Sequence, residues 1–339
     1  MYEDRLKDLE KISKEIGKHK DYVQGGGGNT SIKLDKEWMA IKASGYKLDQ
    51  VISNDGFAVV NYKKVIEYMN NINFNSDIDY ETDSVSFIRK NVLELDGIKL
   101  LRPSIETGFH SILKKVVIHT HSVYSNIICC CNEGEDLIKE IFRDSNIGYV
   151  WIPYIKPGFS LSYYIMNKRK DYKKDLDLIF MENHGLIVNN EDTDKCLNLH
   201  NDVNELIKSY FKLPVFPKVE LNKIDGDIYK SSNDFILNFI KENRVGSSFF
   251  TEFFLYPDQI VYLNEYLNNK IFITDKEVVY KTKKNEALML EETLLAYFYV
   301  IDQINSLKLE LKVMPENETD YIKNWEVEKF RRQVSTNEK

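Results

Sequence analysis

The sequence Val116-Val117-Ile118-His119-Thr120-His121 decides both the fold and the chemistry of this 339-residue chain. Its three β-branched apolar residues predict a buried strand. The two histidines follow at positions i and i+2, and side chains two residues apart on a strand point to the same face of a sheet. Two imidazoles side by side at the end of a buried strand are placed to bind one metal ion.

A third histidine follows another apolar strand. The run 178–180 leads into Glu182-Asn183-His184-Gly185-Leu186, where the glycine allows a tight turn. Catalytic zinc sites commonly use three protein ligands and keep one position open. We therefore predict that these three histidines meet at one divalent metal: His119, His121 and His184. The alternative is three surface or core histidines without a metal.

A carboxylate precedes the histidine pair by 13 positions, in Arg102-Pro103-Ser104-Ile105-Glu106-Thr107. Next to a metal, Glu106 could serve as a fourth ligand or as a general acid and base. The alternative is structural, since acidic residues favour helix N-termini and residues 109–113 are predicted to be helical.

The stretch Gly25-Gly26-Gly27-Gly28-Asn29-Thr30-Ser31 could present backbone N–H groups to an anion. It is neither a P-loop nor a dinucleotide-binding fingerprint, because no Gly-Lys-Ser/Thr follows and because a helix precedes it. Ser44, Gly45 and Ser104 could add donors to the same anion. A flexible turn between helix and strand is an equally good interpretation.

Composition limits the partners. The chain has 46 basic and 53 acidic side chains, a net charge of −7 and no basic block, which argues against nucleic-acid binding. No run approaches the 18 or so apolar residues of a membrane span. Three of the four cysteines are consecutive and therefore poor disulfide partners, so we expect free thiols and a cytoplasmic protein.

The first 213 residues alternate strands and helices, which predicts one central sheet. Strands are expected at 32–34, 38–42, 57–62, 149–152 and 178–180, and helices at 2–18, 63–69, 109–113, 123–131, 137–142 and from Thr193 onward. The polar segment 216–227 is the predicted boundary between a domain of residues 1–215 and a region of residues 216–339. In that second region we expect helices at 234–242 and 287–311, a strand at 260–263 and a hairpin of 271–274 with 278–280.

Taken in order, these motifs resemble the class II aldolase/adducin family over residues 1 to about 213. The matching motifs are Gly28-Asn29-Thr30-Ser31, Ser44-Gly45, Pro103-Ser104-x-Glu106, His119-x-His121 and Asn183-His184-Gly185-Leu186. Two later motifs resemble the extended aldolase portion of bifunctional aldolase/short-chain dehydrogenase proteins: Leu255-Tyr256-Pro257-Asp258 and Asn324-Trp325-Glu326-x-Glu328.

The resemblance implies a three-layer α/β/α fold around a mainly antiparallel sheet, with a smaller α+β C-terminal region. It implies Zn²⁺ on the three histidines, with Mn²⁺ or Co²⁺ as substitutes, and Glu106 as the catalytic carboxylate. It places the substrate phosphate at Asn29, Ser44, Gly45 and Ser104. The implied enzyme is a homotetrameric lyase that cleaves a ketose 1-phosphate, a small phosphorylated sugar, into dihydroxyacetone phosphate and an aldehyde.

The same resemblance leaves alternatives. A phosphosugar epimerase or dehydratase could use the same histidines, although the epimerases carry Asp at the position of Glu106. An adducin-like binding protein needs no complete histidine set. Ile105 stands where many members have a second serine, so the substrate could be a phosphonate or carry no phosphate. The sequence identifies neither the sugar, nor the aldehyde, nor the direction of the reaction, nor the role of residues 216–339.

Overall fold

A computed structural model describes residues 2–172, 175–246, 248–263 and 269–324. The strands are β1 (Asn29–Lys33), β2 (Trp38–Lys42), β3 (Phe57–Asn61), β4 (Val92–Leu93), β5 (Val116–Thr120), β6 (Tyr149–Ile152), β7 (Leu178–Met181), β8 (Gly185–Asn190), β9 (Leu221–Asp225), β10 (Ile228–Ser231), β11 (Ile271–Ile273) and β12 (Val278–Lys281). The helices are α1 (Glu3–Gly17), α2 (Tyr62–Asn70), α3 (Tyr80–Lys90), α4 (Thr107–Ile112), α5 (Val123–Cys129), α6 (Gly134–Ile141), α7 (Phe159–Lys170), α8 (Thr193–Phe211), α9 (Asp234–Asn243), α10 (Phe249–Glu252), α11 (Pro257–Leu263), α12 (Lys284–Ser306) and α13 (Glu316–Asn324).

The central sheet has eight strands in the order β4-β3-β2-β1-β5-β8-β7-β6. Each neighbouring pair is antiparallel except β6 and β7, which are parallel. The predicted mainly antiparallel sheet is therefore confirmed. Strand β5 lies in its middle, between β1 and β8.

Two layers of helices cover this sheet. Alternate residues of β5 enter opposite cores: Val116 and Ile118 pack with α1, α5, α6 and α8, whereas Val117 packs with α2, α3, α4 and α7. This alternation follows from the two-residue period of a strand. It explains why a continuous apolar run, rather than an alternating one, marks a strand buried on both faces.

The C-terminal region adds a four-stranded sheet in the order β11-β12-β10-β9 and helices α9 to α13. We call residues 216–324 the extension. Its central helix α12 packs on α5, and its buried side chains join those of the first helical layer in one continuous core. Division of the chain at residue 215 stays a prediction, because the two parts share this core.

Within the extension, a carboxyl group is buried beneath the second sheet. Glu291 of α12 is fully shielded from solvent. It accepts hydrogen bonds from Ser231 (2.7 Å) and from the hydroxyl of Tyr280. Burial raises the pKa of Glu291 to about 7, although both hydrogen bonds oppose that shift.

Several sequence predictions differ from the structure. Residues 260–263, expected as a strand, form part of helix α11, which begins at Pro257; proline is well suited to the first turn of a helix. The polar segment 216–227 contains strand β9, whose residues are mostly exposed. No element was predicted for residues 80–90, 159–170 and 185–190, which form α3, α7 and β8.

Among the described residues, no helix combines the length and the apolar character that crossing a membrane requires.

Candidate metal centre

The three histidines converge because β5 and β8 are antiparallel neighbours. His119 lies opposite Ile187 of β8 on one side and opposite Asn29 of β1 on the other. His121 follows the end of β5, and His184 precedes the start of β8. Antiparallel pairing thus places the end of β5 beside the start of β8. It brings together His121 and His184, which are 63 positions apart in sequence.

The turn that carries His184 requires its following glycine. A Cβ on Gly185 would lie 2.3 Å from the carbonyl oxygen of Thr120 and 3.2 Å from the ring of His121. No side chain fits between the two strands at this point. The preceding Asn183 has a φ of 50°, in the left-handed region that asparagine tolerates better than most residues.

The three imidazoles form a compact, buried cluster. The ring centroid of His119 lies 4.8 Å from that of His121 and 5.0 Å from that of His184, and the remaining pair is 5.2 Å apart. One ligand nitrogen from each ring lies within 4.8 Å of the others. All three side chains are at most 3% exposed. The sequence-based expectation that these rings are close enough to share one ion agrees with this geometry.

Hydrogen bonds fix two of the rings in the form that binds a metal. The Nδ1–H of His119 donates to the carbonyl oxygen of Leu186 at 3.0 Å, and the Nδ1–H of His121 donates to a carboxylate oxygen of Asp258. Burial lowers the pKa of His119 well below its usual value, so its ring is neutral. With the proton on Nδ1, the Nε2 atom of each ring is the nitrogen that a metal would bind.

Those two Nε2 atoms lie 3.1 Å apart. At that distance the two nitrogens either share a proton in a hydrogen bond or bind one cation together. Nitrogen ligands at about 2.0–2.1 Å from a tetrahedral zinc ion are about 3.3 Å apart. Furthermore, the Nδ1 atom of His184 is buried and has no hydrogen-bond partner among the described residues. This donor set fits a divalent metal.

The Glu106 carboxylate lies against the cluster. Its Oε1 is 3.2 Å from Nε2 of His184, and its Oε2 is 3.6 Å from Nε2 of His119. Burial would raise the pKa of Glu106, but its hydrogen bond to His184 and the positive charge that the histidine cluster carries when protonated hold the pKa well below 4.5, and a divalent cation bound by neutral rings would act in the same direction. The carboxyl group is therefore ionised.

Asn29 connects Glu106 to a histidine that the sequence analysis did not select. Its Nδ2 donates to Oε2 of Glu106 at 2.5 Å, and its Oδ1 accepts a hydrogen bond from Nε2 of His110. The other ring nitrogen of His110 accepts from the hydroxyl of Ser31 at 2.7 Å. Burial lowers the pKa of His110 to about 3, so its ring stays neutral. The chain from Ser31 through His110 to Asn29 thus fixes which side of the amide faces Glu106.

The predicted phosphate-binding residues lie on two adjoining segments. Ala43 pairs with Pro103, and the backbone N–H of Ser44 donates to the carbonyl of Arg102 at 2.9 Å. The Oγ of Ser104 accepts from Nδ2 of Asn29 at 3.3 Å. The structure thus places Asn29 and Ser104 together beside Glu106, with Ser44 and Gly45 on the neighbouring segment. Their contact with a phosphate stays a prediction.

The glycine-rich loop meets the extension. The N–H of Gly25 donates to a carboxylate oxygen of Glu292 at 3.1 Å, and Lys20 lies 3.3 Å from the same carboxyl group. The N–H of Gly25 therefore binds a carboxylate of the protein itself, that of Glu292. The extension also reaches the turn of His184, since Nδ2 of Asn183 donates to the carbonyls of Leu255 and Lys312, each at 2.8 Å.

Comparison with known proteins agrees with this geometry. The family model described as Class II Aldolase and Adducin N-terminal domain matches residues 7–211. The chain belongs to this family. The match ends where α8 ends, so it covers the central sheet and the histidine cluster but not the extension.

One similar solved structure in the family is the N-terminal class II aldolase domain of a conserved protein from Thermoplasma acidophilum. It is 27% identical with a TM-score of 0.50, over 60% of this chain and 92% of that one. An L-fuculose 1-phosphate aldolase is 19% identical with a TM-score of 0.41, over 61% of this chain and 84% of that one.

A curated relative, named "Uncharacterized oxidoreductase YuxG" from Bacillus subtilis (strain 168), is 29% identical over 192 residues. The match covers 53% of this chain but only 26% of the relative, so the chain matches about a quarter of that protein. Of the two motifs that resemble bifunctional proteins, residues 255–258 lead into α11 at the metal centre, whereas 325–328 of the second lie outside the described residues.

Proposed function

We propose that this chain is a zinc-dependent class II aldolase that cleaves or forms a ketose 1-phosphate, with dihydroxyacetone phosphate and an aldehyde as the other reaction partners. The observation that carries the proposal is the pair of Nε2 atoms 3.1 Å apart, with a carboxylate oxygen of Glu106 3.6 Å from one of them. A cation site with a base beside it matches what an aldol reaction needs.

The cation would be held by His119, His121 and His184. A divalent cation bound there supplies a Lewis acid for the carbonyl oxygen of the substrate. Imidazoles bind a metal in their neutral form, so they would leave the full double charge of the cation for this purpose. The nearly complete burial of the rings keeps bulk water away, and electrostatic stabilisation is stronger in such an environment.

Glu106 would move the proton. When the carbon–carbon bond of the ketose breaks, a hydroxyl group loses its proton to become the aldehyde, and the carbon on the other fragment gains one. The ionised carboxylate of Glu106 would accept the first proton and return it to that carbon, so that the protein regains its starting state. Asn29 would hold the carboxylate in place through its 2.5 Å hydrogen bond.

The phosphate of the substrate would lie at Asn29, Ser44, Gly45 and Ser104. Asn29 and Ser104 border Glu106, and Ser44 pairs with the adjoining segment, so an anion held there would fix the reacting carbons relative to the base. The family resemblance supports this assignment, while Ile105 removes one hydroxyl that many members offer. Inorganic phosphate should therefore compete with the substrate if the assignment is right.

The decisive experiment incubates the metal-loaded protein with dihydroxyacetone phosphate and a set of short aldehydes. A new carbon–carbon bond, detected by mass spectrometry, supports an aldolase. Epimerised or dehydrated products from ketose phosphates, without bond formation, would refute it in favour of another reaction of the family. Elemental analysis of the protein as purified tests zinc against Mn²⁺ and Co²⁺.

A homotetramer in the cytoplasm completes the proposal. The family resemblance implies the tetramer, and light scattering coupled to size-exclusion chromatography tests it. The four cysteines are free thiols and buried, which suits a reducing compartment.

A further inference from the structure

We propose that Asp258, a residue of the extension, is a positioning residue for His121 and that the metal centre is incomplete without it. This inference rests on the metal site of the proposed function but not on its reaction. The family match ends at residue 211, so Asp258 lies outside the matched domain.

The contact is buried and direct. Asp258 lies in α11 and is fully shielded from solvent, and one of its carboxylate oxygens accepts the Nδ1–H of His121. His121 is only 3% exposed. A buried carboxylate is expensive unless it is paired. This pairing therefore sets the position of both groups, although they are 137 residues apart in the sequence.

The glycine-rich loop is shaped to admit this carboxylate. A Cβ on Gly27 would lie 2.0 Å from Oδ2 of Asp258 and 3.0 Å from its Cγ. The φ of Gly27 is outside the left-handed region, so backbone conformation does not demand glycine there. Instead, the carboxylate of Asp258 occupies the space that a side chain at residue 27 would need. The loop, the carboxylate and the imidazole thus form one assembly in which each part limits the position of the next.

The effect on His121 is a choice of tautomer. A carboxylate can only accept hydrogen bonds, so Nδ1 of His121 must carry the proton and Nε2 must be the metal ligand. His119 obtains the same result from the carbonyl of Leu186, a backbone group. Outer carboxylate partners of this kind also raise the basicity of the imidazole, and their removal typically weakens metal binding 10- to 100-fold.

Charge balance points the same way. Three neutral imidazoles and a divalent cation leave two positive charges in a buried site. The carboxylates of Asp258 and Glu106 supply two negative charges within hydrogen-bond distance of the rings. The extension would therefore provide half of the neutralising charge, and the matched domain the other half.

The test compares zinc affinity in full-length variants by competition with a chromogenic chelator. Asp258→Asn keeps the shape of the side chain, but its amide can donate to Nδ1 and so favour the wrong tautomer. We expect at least a tenfold loss of zinc affinity. Asp302→Asn is the matched control, because Asp302 lies on α12 of the same extension and bonds to Gln303, away from the histidines. Its affinity should equal that of the wild type.

Two further measurements keep the proposal testable if Asp258→Asn does not fold. Gly27→Ala should lower zinc affinity too, since the new methyl group displaces the carboxylate. Histidine ¹⁵N NMR of the zinc-loaded wild type should show a proton on Nδ1 of His121, and an unprotonated Nδ1 would overturn the proposal.

The outcomes separate this inference from the proposed reaction. Equal zinc affinity in the wild type and Asp258→Asn refutes the role of Asp258, whether or not the protein is an aldolase. A wild-type protein that binds zinc and forms no carbon–carbon bond refutes the reaction and leaves Asp258 to be decided by its own variants. A wild type that binds no divalent metal overturns both.

Discussion

The buried carboxyl group of Glu291 predicts a pH-dependent stability of known sign. Its pKa is about 7 in the folded protein, against 4.5 when exposed to water. Since a tenfold change in an equilibrium constant corresponds to about 1.4 kcal/mol, this difference corresponds to about 3 kcal/mol. Because the folded pKa is the higher one, the folded state holds the proton more tightly. The contribution is complete below pH 4.5 and is lost as the pH rises to about 7.

The assay is urea-induced unfolding of the wild type and of Glu291→Gln between pH 4.5 and 8. The variant keeps a neutral polar group next to Ser231 and Tyr280, so it removes the titration and leaves other ionisable groups in place. Relative to the wild type, its free energy of unfolding should rise by about 3 kcal/mol across this range. Glu286→Gln is the control, because Glu286 is paired with Lys270 at 2.6 Å and should not reproduce this gain. Parallel pH profiles for wild type and Glu291→Gln would refute the reasoning.

The remaining predictions concern the metal centre. Glu106→Gln should retain zinc but lose turnover about 10²- to 10⁴-fold, and unchanged turnover would remove Glu106 from the mechanism. His121→Ala should lose metal and activity together; full zinc occupancy by elemental analysis would contradict its role as a ligand. His110→Phe should keep zinc and lower kcat about tenfold, since Asn29 loses one hydrogen bond, and an unaltered kcat would argue against positioning. Asn183→Ala removes two hydrogen bonds and leaves alanine in a left-handed conformation, so we expect a loss of about 3 kcal/mol, measured by urea unfolding; an unchanged midpoint would contradict it.

The sequence predicts six of the eight strands of the central sheet and misses β4 and β8. A strand buried on both faces usually leaves a simple signal. Strands β2 and β6 begin and end where the apolar runs 38–42 and 149–152 do. The predicted hairpin of 271–274 with 278–280 is present as β11 and β12. In each case the strand is short, β-branched or aromatic, and bounded by turn residues, so helix and strand are easy to distinguish.

Prediction fails where the local signal is ambiguous or weak. The run 260–263 is as apolar as a buried strand, but in the structure it belongs to α11, which packs against α12 and α13. Strand β9 is the opposite case. It lies at the edge of the second sheet with mostly exposed side chains, so its sequence contains the polar residues typical of a loop. Short apolar runs and polar edge strands both depend on tertiary contacts that no single stretch of sequence encodes.

The candidate site likewise contains some residues that the sequence predicts and others that it does not. The period of a strand predicts that His119 and His121 share one face, and the turn at Gly185 indicates the third ring. No spacing rule could find Asp258, because its pairing with His121 depends on how α11 packs against the glycine-rich loop. For a related reason, the sequence does not single out His110. A lone histidine on a helix carries no signal until its partner Asn29 is known.

The sequence separation of His121 and Asp258 has a consequence for biosynthesis. Ribosomes add about 5–20 residues per second, so the 137 residues between the two groups take about 7 to 27 s to translate. During that interval the nascent chain already contains two adjacent ligand histidines, but the carboxylate that orients the second has not yet been made. Productive loading of the ion should therefore be a late event, after the emerging polypeptide has delivered α11 to the histidines.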